Sequence, residues 1–217
     1  MDDGPGTLRA VAGAARELNR LVRITRADGA TLDDARRLID EASALLATAV
    51  DPGPHVQSGT SPDDGAMGGL GGLAQLARPA EFFPYSPVVG PLNAISPPAD
   101  IEIREDGSVR GSVTLTEPFN GPPWDLAHGG VVALIFDELL GLAGIAGAGG
   151  GFTGRLTVRY HKPTPIRQPL ALEARVTEVR GRKIKAHGTI HADGVLTAEA
   201  EGLFIQAQGP LAEAADS

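Results

Sequence analysis

The sequence predicts an α+β fold in which an antiparallel sheet of about six strands wraps around one central helix. Two observations indicate this architecture. Segments in which apolar and polar residues alternate lie on both sides of one long apolar run, and each predicts a strand with one buried face. The apolar run, at residues 129–146, is hydrophobic on most sides, so a helix formed there must be enclosed. The predicted element order is β-β-α-β-β-β-β.

The strands before the predicted helix form a hairpin over residues 101–115, with Asp106-Gly107 as its tight turn. A loop over residues 117–127 leads into the helix. Four further strand patterns follow in close succession and end near residue 205. Small residues on the last strand, Ala198, Ala200 and Gly202, let the helix lie close to the sheet.

Residues 1–50 predict a helical extension, with helical spacing over residues 7–26 and 31–48 and Thr31 as the cap of the second helix. This segment contains seven arginines and eight acidic residues, so its composition does not support a basic DNA-binding surface. Residues 51–84 predict a flexible Gly/Pro-rich connector, although the apolar residues near its end should dock on the main domain. That domain is assigned to residues 85–208, and a disordered tail to residues 209–217.

Composition excludes several classes of function. The net charge of −8 gives no long-range attraction to nucleic acid or anionic membranes. The absence of cysteine excludes disulfides, thiol catalysis and cysteine-ligated metals. Residues 126–150 are apolar enough for a membrane span, but Asp137 and Glu138 near their middle favour a buried helix in a soluble domain. With no signal or transit peptide recognised at the start, the predicted location is cytoplasmic.

His128, Gly129 and Gly130 stand where the central helix is predicted to begin. The first turn of a helix has unpaired N–H groups and the positive end of the helix dipole. Glycines there allow a substrate carbonyl to approach the backbone. This pattern indicates a site that stabilises an oxyanion.

Asp137 lies on the same predicted helix, in a strip of small residues. A carboxylate on an apolar helix is costly to bury without a partner, which favours a catalytic role over a buried structural aspartate. Glu138 points about 100° away, and a capping or surface role is the prediction for it.

Gly129 and Asp137 are eight positions apart, or about 12 Å along a helix. One helix therefore cannot bring both groups to the same carbonyl carbon. Two antiparallel copies related by a two-fold axis can do so. The sequence thus predicts a homodimer, with Gly129 of one chain facing Asp137 of the other.

Several motifs together resemble the hotdog-fold thioesterase superfamily, especially phenylacetate-pathway thioesterases and mammalian acyl-CoA thioesterases. They are the GPP…AHGG loop at residues 121–130, the aspartate at the ninth position after His128, and the strand FTGRLTVRYHKPTPI. The GRKI turn and the AEAEGLFI ending are also similar, and the resemblance covers about residues 85–208. It implies a hotdog fold and hydrolysis of acyl-CoA to free acid and CoA.

The resemblance also implies roles for individual residues. The Gly129 amide binds the thioester carbonyl, with Gly130 beside it, and Asp137 either activates water or attacks directly. Thr153 helps to place the nucleophile. His128 orients the loop or is a satisfied structural histidine, and the polar residue expected before it is Asn120.

Contacts to the rest of the substrate are less specific. The cations of the turn at residues 180–185, Arg182 and Lys183 among them, can meet the CoA phosphates or form a solvated hairpin tip. Trp124, with Phe136 and Phe152, can shape an acyl pocket. No metal or cofactor is predicted, since the histidines show no metal-ligand spacing, and CoA enters only as part of the substrate.

Two other functions remain open at this point. A hotdog dehydratase or hydratase uses a histidine with an acid, but the sequence lacks the HFPG-like loop of those enzymes. A non-enzymatic acyl-CoA sensor would use the N-terminal helices as its output. Pairing of two dimers is also open.

Overall fold

The computed structural model describes residues 4–53, 55, 57, 77–122 and 125–206. Most of the predicted connector, Trp124 and the predicted tail lie outside the described residues. The helices are α1 (Gly4–Ile24), α2 (Gly29–Ala47), α3 (Pro79–Phe82) and α4 (Gly129–Ala148). The strands are β1 (Asp100–Ile103), β2 (Val109–Thr114), β3 (Asn120–Gly121), β4 (Leu126–Ala127), β5 (Phe152–Tyr160), β6 (Pro169–Arg180), β7 (Lys183–Ala192) and β8 (Val195–Ile205). The domain boundaries assigned above stay a prediction.

The main sheet has six antiparallel strands in the order β1-β2-β6-β7-β8-β5. Its inner face packs against α4, which contacts β6, β7, β8 and β5. The predicted α+β hotdog architecture, with one central helix and two N-terminal helices, is therefore confirmed. Strands β3 and β4 form a separate two-stranded ribbon inside the predicted loop.

Helix α4 begins and ends with recognisable caps. His128 is its N-cap, and Gly149 ends it in the left-handed conformation, φ 76°, with its amide bonded to Gly144 and Ile145 carbonyls. Within the described part of the chain, α4 alone has the length and apolar composition of a membrane span. Eight of its residues are buried under the sheet, as in the core helix of a globular domain.

The helix lies close to the sheet because the facing strands carry small residues. Ala198 and Ala200 of β8 are buried. A Cβ atom added at Gly202 would come within 3.2 Å of a methyl carbon of Leu140. A larger side chain there would push α4 away from the strands.

The two N-terminal helices differ in how they attach to this core. Helix α1 docks through buried Ala12 and through Arg16, whose guanidinium donates to the carbonyls of Pro91 and Asn93 at 3.0 and 2.8 Å. Helix α2 has no buried residue. Its cap is Asp28, which accepts from the Thr31 amide at 2.8 Å, so the prediction of Thr31 as the cap was wrong.

The apolar segment before β1 docks on the core, as its composition predicts. Val88 and Val89 are fully buried. Ser86 and Ser96 are buried with them, and the hydroxyl of Ser96 donates to the Val88 carbonyl at 2.8 Å. This segment therefore covers part of α4.

Candidate active site

The first turn of α4 is held from two sides. The His128 ring accepts the Gly130 amide at Nδ1, at 3.0 Å, so this amide is already engaged. The hydroxyl of Tyr160, at the end of β5, donates to the Gly129 carbonyl at 2.7 Å. Among the described residues, the Gly129 amide meets no acceptor. It therefore has a free donor at the positive end of the helix.

Asp137 and Thr153 meet at the other end of the site. The Thr153 hydroxyl donates to Asp137 Oδ1 at 2.9 Å. Thr153 pairs with Phe204 of β8, next to an irregularity in the strand register. Because directly paired residues point to the same face, Thr153 faces α4 as the buried Phe204 ring does. The sheet therefore fixes one oxygen of the carboxylate.

Gly129 and Asp137 lie at different turns of α4, about 12 Å apart along the helix axis. The flank of the molecule near them is open. Strand β5 is an edge strand, and nearly all of its residues are exposed. Phe152 and Tyr160 are 61% and 52% exposed, and Leu134 of α4 is 42% exposed. This edge strand therefore carries an exposed aromatic ring at each end, and an unpaired edge of this kind can associate with another chain.

A small cavity of about 340 Å³ opens at the start of α4. It is lined by Pro122, Leu126, Ala127, Gly129, Val132, Tyr160, His161, Lys162, Pro163 and Thr164. The cavity gives a ligand carbonyl room beside the free Gly129 amide. Tyr160 was not predicted as a site residue, since its place in an alternating strand gives no hint of a bond to the helix.

Comparison with known proteins shows the family to which the chain belongs. Residues 125–199 match the family model of the thioesterase superfamily. The crystal structure of a thioesterase superfamily protein is 34% identical, with a TM-score of 0.76, and the match covers 92% of this chain and 90% of that one. The chain belongs to the thioesterase superfamily.

A curated relative of this superfamily member is acyl-coenzyme A thioesterase THEM4 from Xenopus laevis. It is 34% identical over 102 residues, which are 45% of this chain and 46% of the relative. The chain thus spans about half the length of that protein. The resemblance noted in the sequence is confirmed.

Glu138 of this thioesterase-fold chain is half-buried and bonded to the segment before β1, so the prediction of a capping or surface role was wrong. Its carboxyl accepts the Ser86 hydroxyl at 2.5 Å, and Ser86 Oγ in turn accepts the amides of Val88 and Val89 at 3.1 Å. Burial raises the pKa of Glu138, the Ser86 bond opposes this shift, and the charge of Asp137 adds to it. Glu138 anchors the segment that covers α4.

The remaining predicted residues are placed as follows. Asn120 lies in β3 opposite Ala127, beside the start of α4. Arg182 and Lys183 are exposed on the turn between β6 and β7, where Lys183 is in register with Ile205 and Ile205 with Phe152. The basic turn therefore lies at the Asp137 end of the sheet.

Four cations of this turn line a surface groove of about 640 Å³: Arg180, Arg182, Lys183 and Lys185. Two of them are partly engaged, since Lys185 pairs with Glu178 at 2.5 Å and Arg182 donates to the Gln206 carbonyl at 3.1 Å. Within the described ranges, no three His, Asp or Glu side chains are placed to hold a metal ion.

Proposed function

We propose that the protein hydrolyses acyl-CoA thioesters to the free acid and CoA. The observation that carries this proposal is the carboxylate of Asp137 on an apolar helix, oriented by the Thr153 hydroxyl at 2.9 Å. Membership of the thioesterase superfamily and the acyl-CoA thioesterase activity for which the Xenopus relative is named support it.

In the proposed reaction, the Gly129 amide donates to the thioester oxygen and stabilises the negative charge that forms there. Asp137 either takes a proton from water, which attacks the carbonyl carbon, or attacks that carbon itself. Water then hydrolyses the resulting anhydride. In both routes the C–S bond breaks and CoA leaves as a thiolate that gains a proton. Thr153 holds Asp137 Oδ1, which leaves the other oxygen for the reaction.

The site is proposed to be shared between two copies of the chain. The helical distance of about 12 Å separates the two groups in one protomer. An antiparallel partner helix brings its Asp137 to the Gly129 of this chain. The exposed β5 edge, with Phe152 and Tyr160, gives a surface on which such a homodimer can form.

Substrate contacts follow from this arrangement as part of the proposal. The basic turn with Arg182 and Lys183 lies at the Asp137 end of the sheet and offers positive charge to the CoA phosphates. Gly130 and Asn120 lie beside the Gly129 amide. The acyl pocket role of Trp124 and the cytoplasmic location stay predictions.

The test is thiol release from short, medium, long and aromatic acyl-CoAs. Asp137→Asn is expected to lower kcat by about 100-fold or more, because the amide can neither accept a proton nor attack. Glu138→Gln is the matched control, since it changes the adjacent carboxylate of the same helix, and it is expected to keep kcat.

Two outcomes would contradict the proposal. Tight acyl-CoA binding with no turnover by the wild type would indicate a sensor. Full turnover by Asp137→Asn, in protein that is folded and has the wild-type oligomeric state, would keep the fold and remove Asp137 from the site.

A further inference from the structure

Arg167 has a backbone conformation that is unusual for its residue type. Its φ is 63°, in the left-handed region that favours glycine or asparagine. Only one other non-glycine residue of the described chain, Asp193 with φ 48°, shares this property. Left-handed residues persist where surrounding contacts hold them, so the contacts of Arg167 are informative.

The Arg167 guanidinium joins both ends of one loop. One arm donates to Glu117 Oε1 at 3.3 Å, and the other pairs with Asp125 Oδ2. Glu117 opens the turn before β3, and Asp125 directly precedes β4. The Arg167 amide also donates to the Leu115 carbonyl at 2.7 Å. The rigid planar fork of an arginine holds two carboxylates in a fixed geometry, whereas a lysine ammonium is a point charge on a flexible stem and does not fix their directions.

This loop leads directly into the oxyanion end of the proposed site. His128 donates its amide to the Phe119 carbonyl at 2.9 Å, and Ala127 donates to the Thr164 carbonyl at 2.7 Å. We call Arg167 with Glu117 and Asp125 the Arg167 clamp. The two backbone bonds tie the start of α4 to Phe119, two residues after Glu117, and to Thr164, three residues before Arg167. Arg20 of α1 pairs with Glu17 at 2.7 Å and also lies 4.0 Å from Glu117, so Glu117 contacts both Arg167 and the N-terminal extension.

An exposed ion pair by itself contributes little to stability. Arg167 joins Glu117 and Asp125 from a strained backbone conformation, so its main effect is to fix where these two residues lie. We propose that Arg167 is a positioning residue, whose guanidinium holds Glu117 and Asp125 in place and thereby the Gly129 amide. This inference rests on the proposed thioesterase function.

The test compares Arg167→Asn with Asp193→Asn. Asparagine suits the left-handed conformation at both positions, so neither change adds backbone strain. Arg167→Asn is expected to lower kcat for acyl-CoA hydrolysis about tenfold, with KM within about twofold and the Tm within about 3 °C. Asp193→Asn is expected to match the wild type. Arg167→Lys keeps the charge without the fork and is expected to recover kcat only in part.

Hydrogen exchange gives a readout that does not need turnover. Amides of residues 117–131 are expected to exchange faster in Arg167→Asn than in the wild type or Asp193→Asn. Unchanged exchange in this segment, or unchanged kcat with a lowered Tm, overturns the positioning role. If the wild type hydrolyses no acyl-CoA, the proposed function fails, and the exchange result alone decides whether Arg167 holds the loop.

Discussion

Asp137 and Glu138 are adjacent carboxylates with different surroundings. Asp137 faces the open flank of α4 and takes a hydrogen bond from Thr153. Glu138 is half-buried against the segment that contains Ser86, Val88 and Val89. The helical period predicted the angle between them. It could not predict what covers Glu138, because the covering segment lies in a proline-rich stretch with no regular period.

The burial of Glu138 predicts a pH-dependent stability. A carboxyl whose pKa is raised by folding contributes stability that is fully present below its ordinary pKa of 4.5 and is lost as the pH rises through the folded value. Glu138→Gln keeps an acceptor for Ser86 without this loss. We expect its Tm to exceed that of the wild type at pH 7, and the difference to shrink as the pH falls toward 4.5.

Thermal unfolding from pH 4.5 to pH 8 measures this difference. Glu41→Gln on exposed α2 is the control and is expected to track the wild type throughout. A Glu138→Gln variant less stable than the wild type at pH 7 would show that the charged carboxylate, and not the neutral acid, suits this site.

At the scale of elements, the long strands and α4 could be predicted because their periods are clear. Residues 129–146 were predicted as the helix that the structure gives as Gly129–Ala148. The ribbon of β3 and β4 could not be predicted, since two-residue strands have no period. The Arg167 clamp and the Tyr160 bond to Gly129 arise from contacts distant in sequence. The glycines at the start of α4 thus led to the proposal of an oxyanion site there, whereas the contacts that hold this turn could not be predicted.

The N-terminus of α4 predicts a sharp difference between two substitutions of Gly129. Proline is favoured at the first position of a helix, and His128, with φ −63° and ψ 133°, already has the extended backbone that a following proline requires. Gly129→Pro removes the amide donor, and we expect kcat to fall about 100-fold or more. Gly129→Ala keeps the donor, and its Cβ would lie 3.5 Å from the Tyr160 hydroxyl, an ordinary contact. We expect it to keep most activity.

Acyl-CoA turnover by the two variants, with circular dichroism to verify folding, measures this difference. Equal losses in Gly129→Ala and Gly129→Pro would point to crowding at Tyr160 as the cause. Full activity in folded Gly129→Pro would exclude this amide as the oxyanion donor.

At the scale of the whole molecule, a single chain carries both groups of the proposed site, the Gly129 amide and the Asp137 carboxylate, but at separate positions along α4. The Gly129 amide and the Asp137–Thr153 pair lie at opposite ends of one open flank, along an edge strand with exposed Phe152. The separation could be predicted from the helical rise alone. The arrangement of the proposed dimer could not be predicted, because nothing within one sequence specifies which exposed face would meet a second copy.

The most direct test of the shared site uses mixed dimers. Gly129→Pro and Asp137→Asn chains, with different affinity tags, are co-expressed, and the dimer carrying both tags is purified. Each mixed dimer would have one site with an intact Gly129 and an intact Asp137, and one site with neither. We expect about half of the wild-type kcat per dimer, from two chains that are each nearly inactive alone. Activity no higher than that of the two parent variants would contradict a site built from both chains.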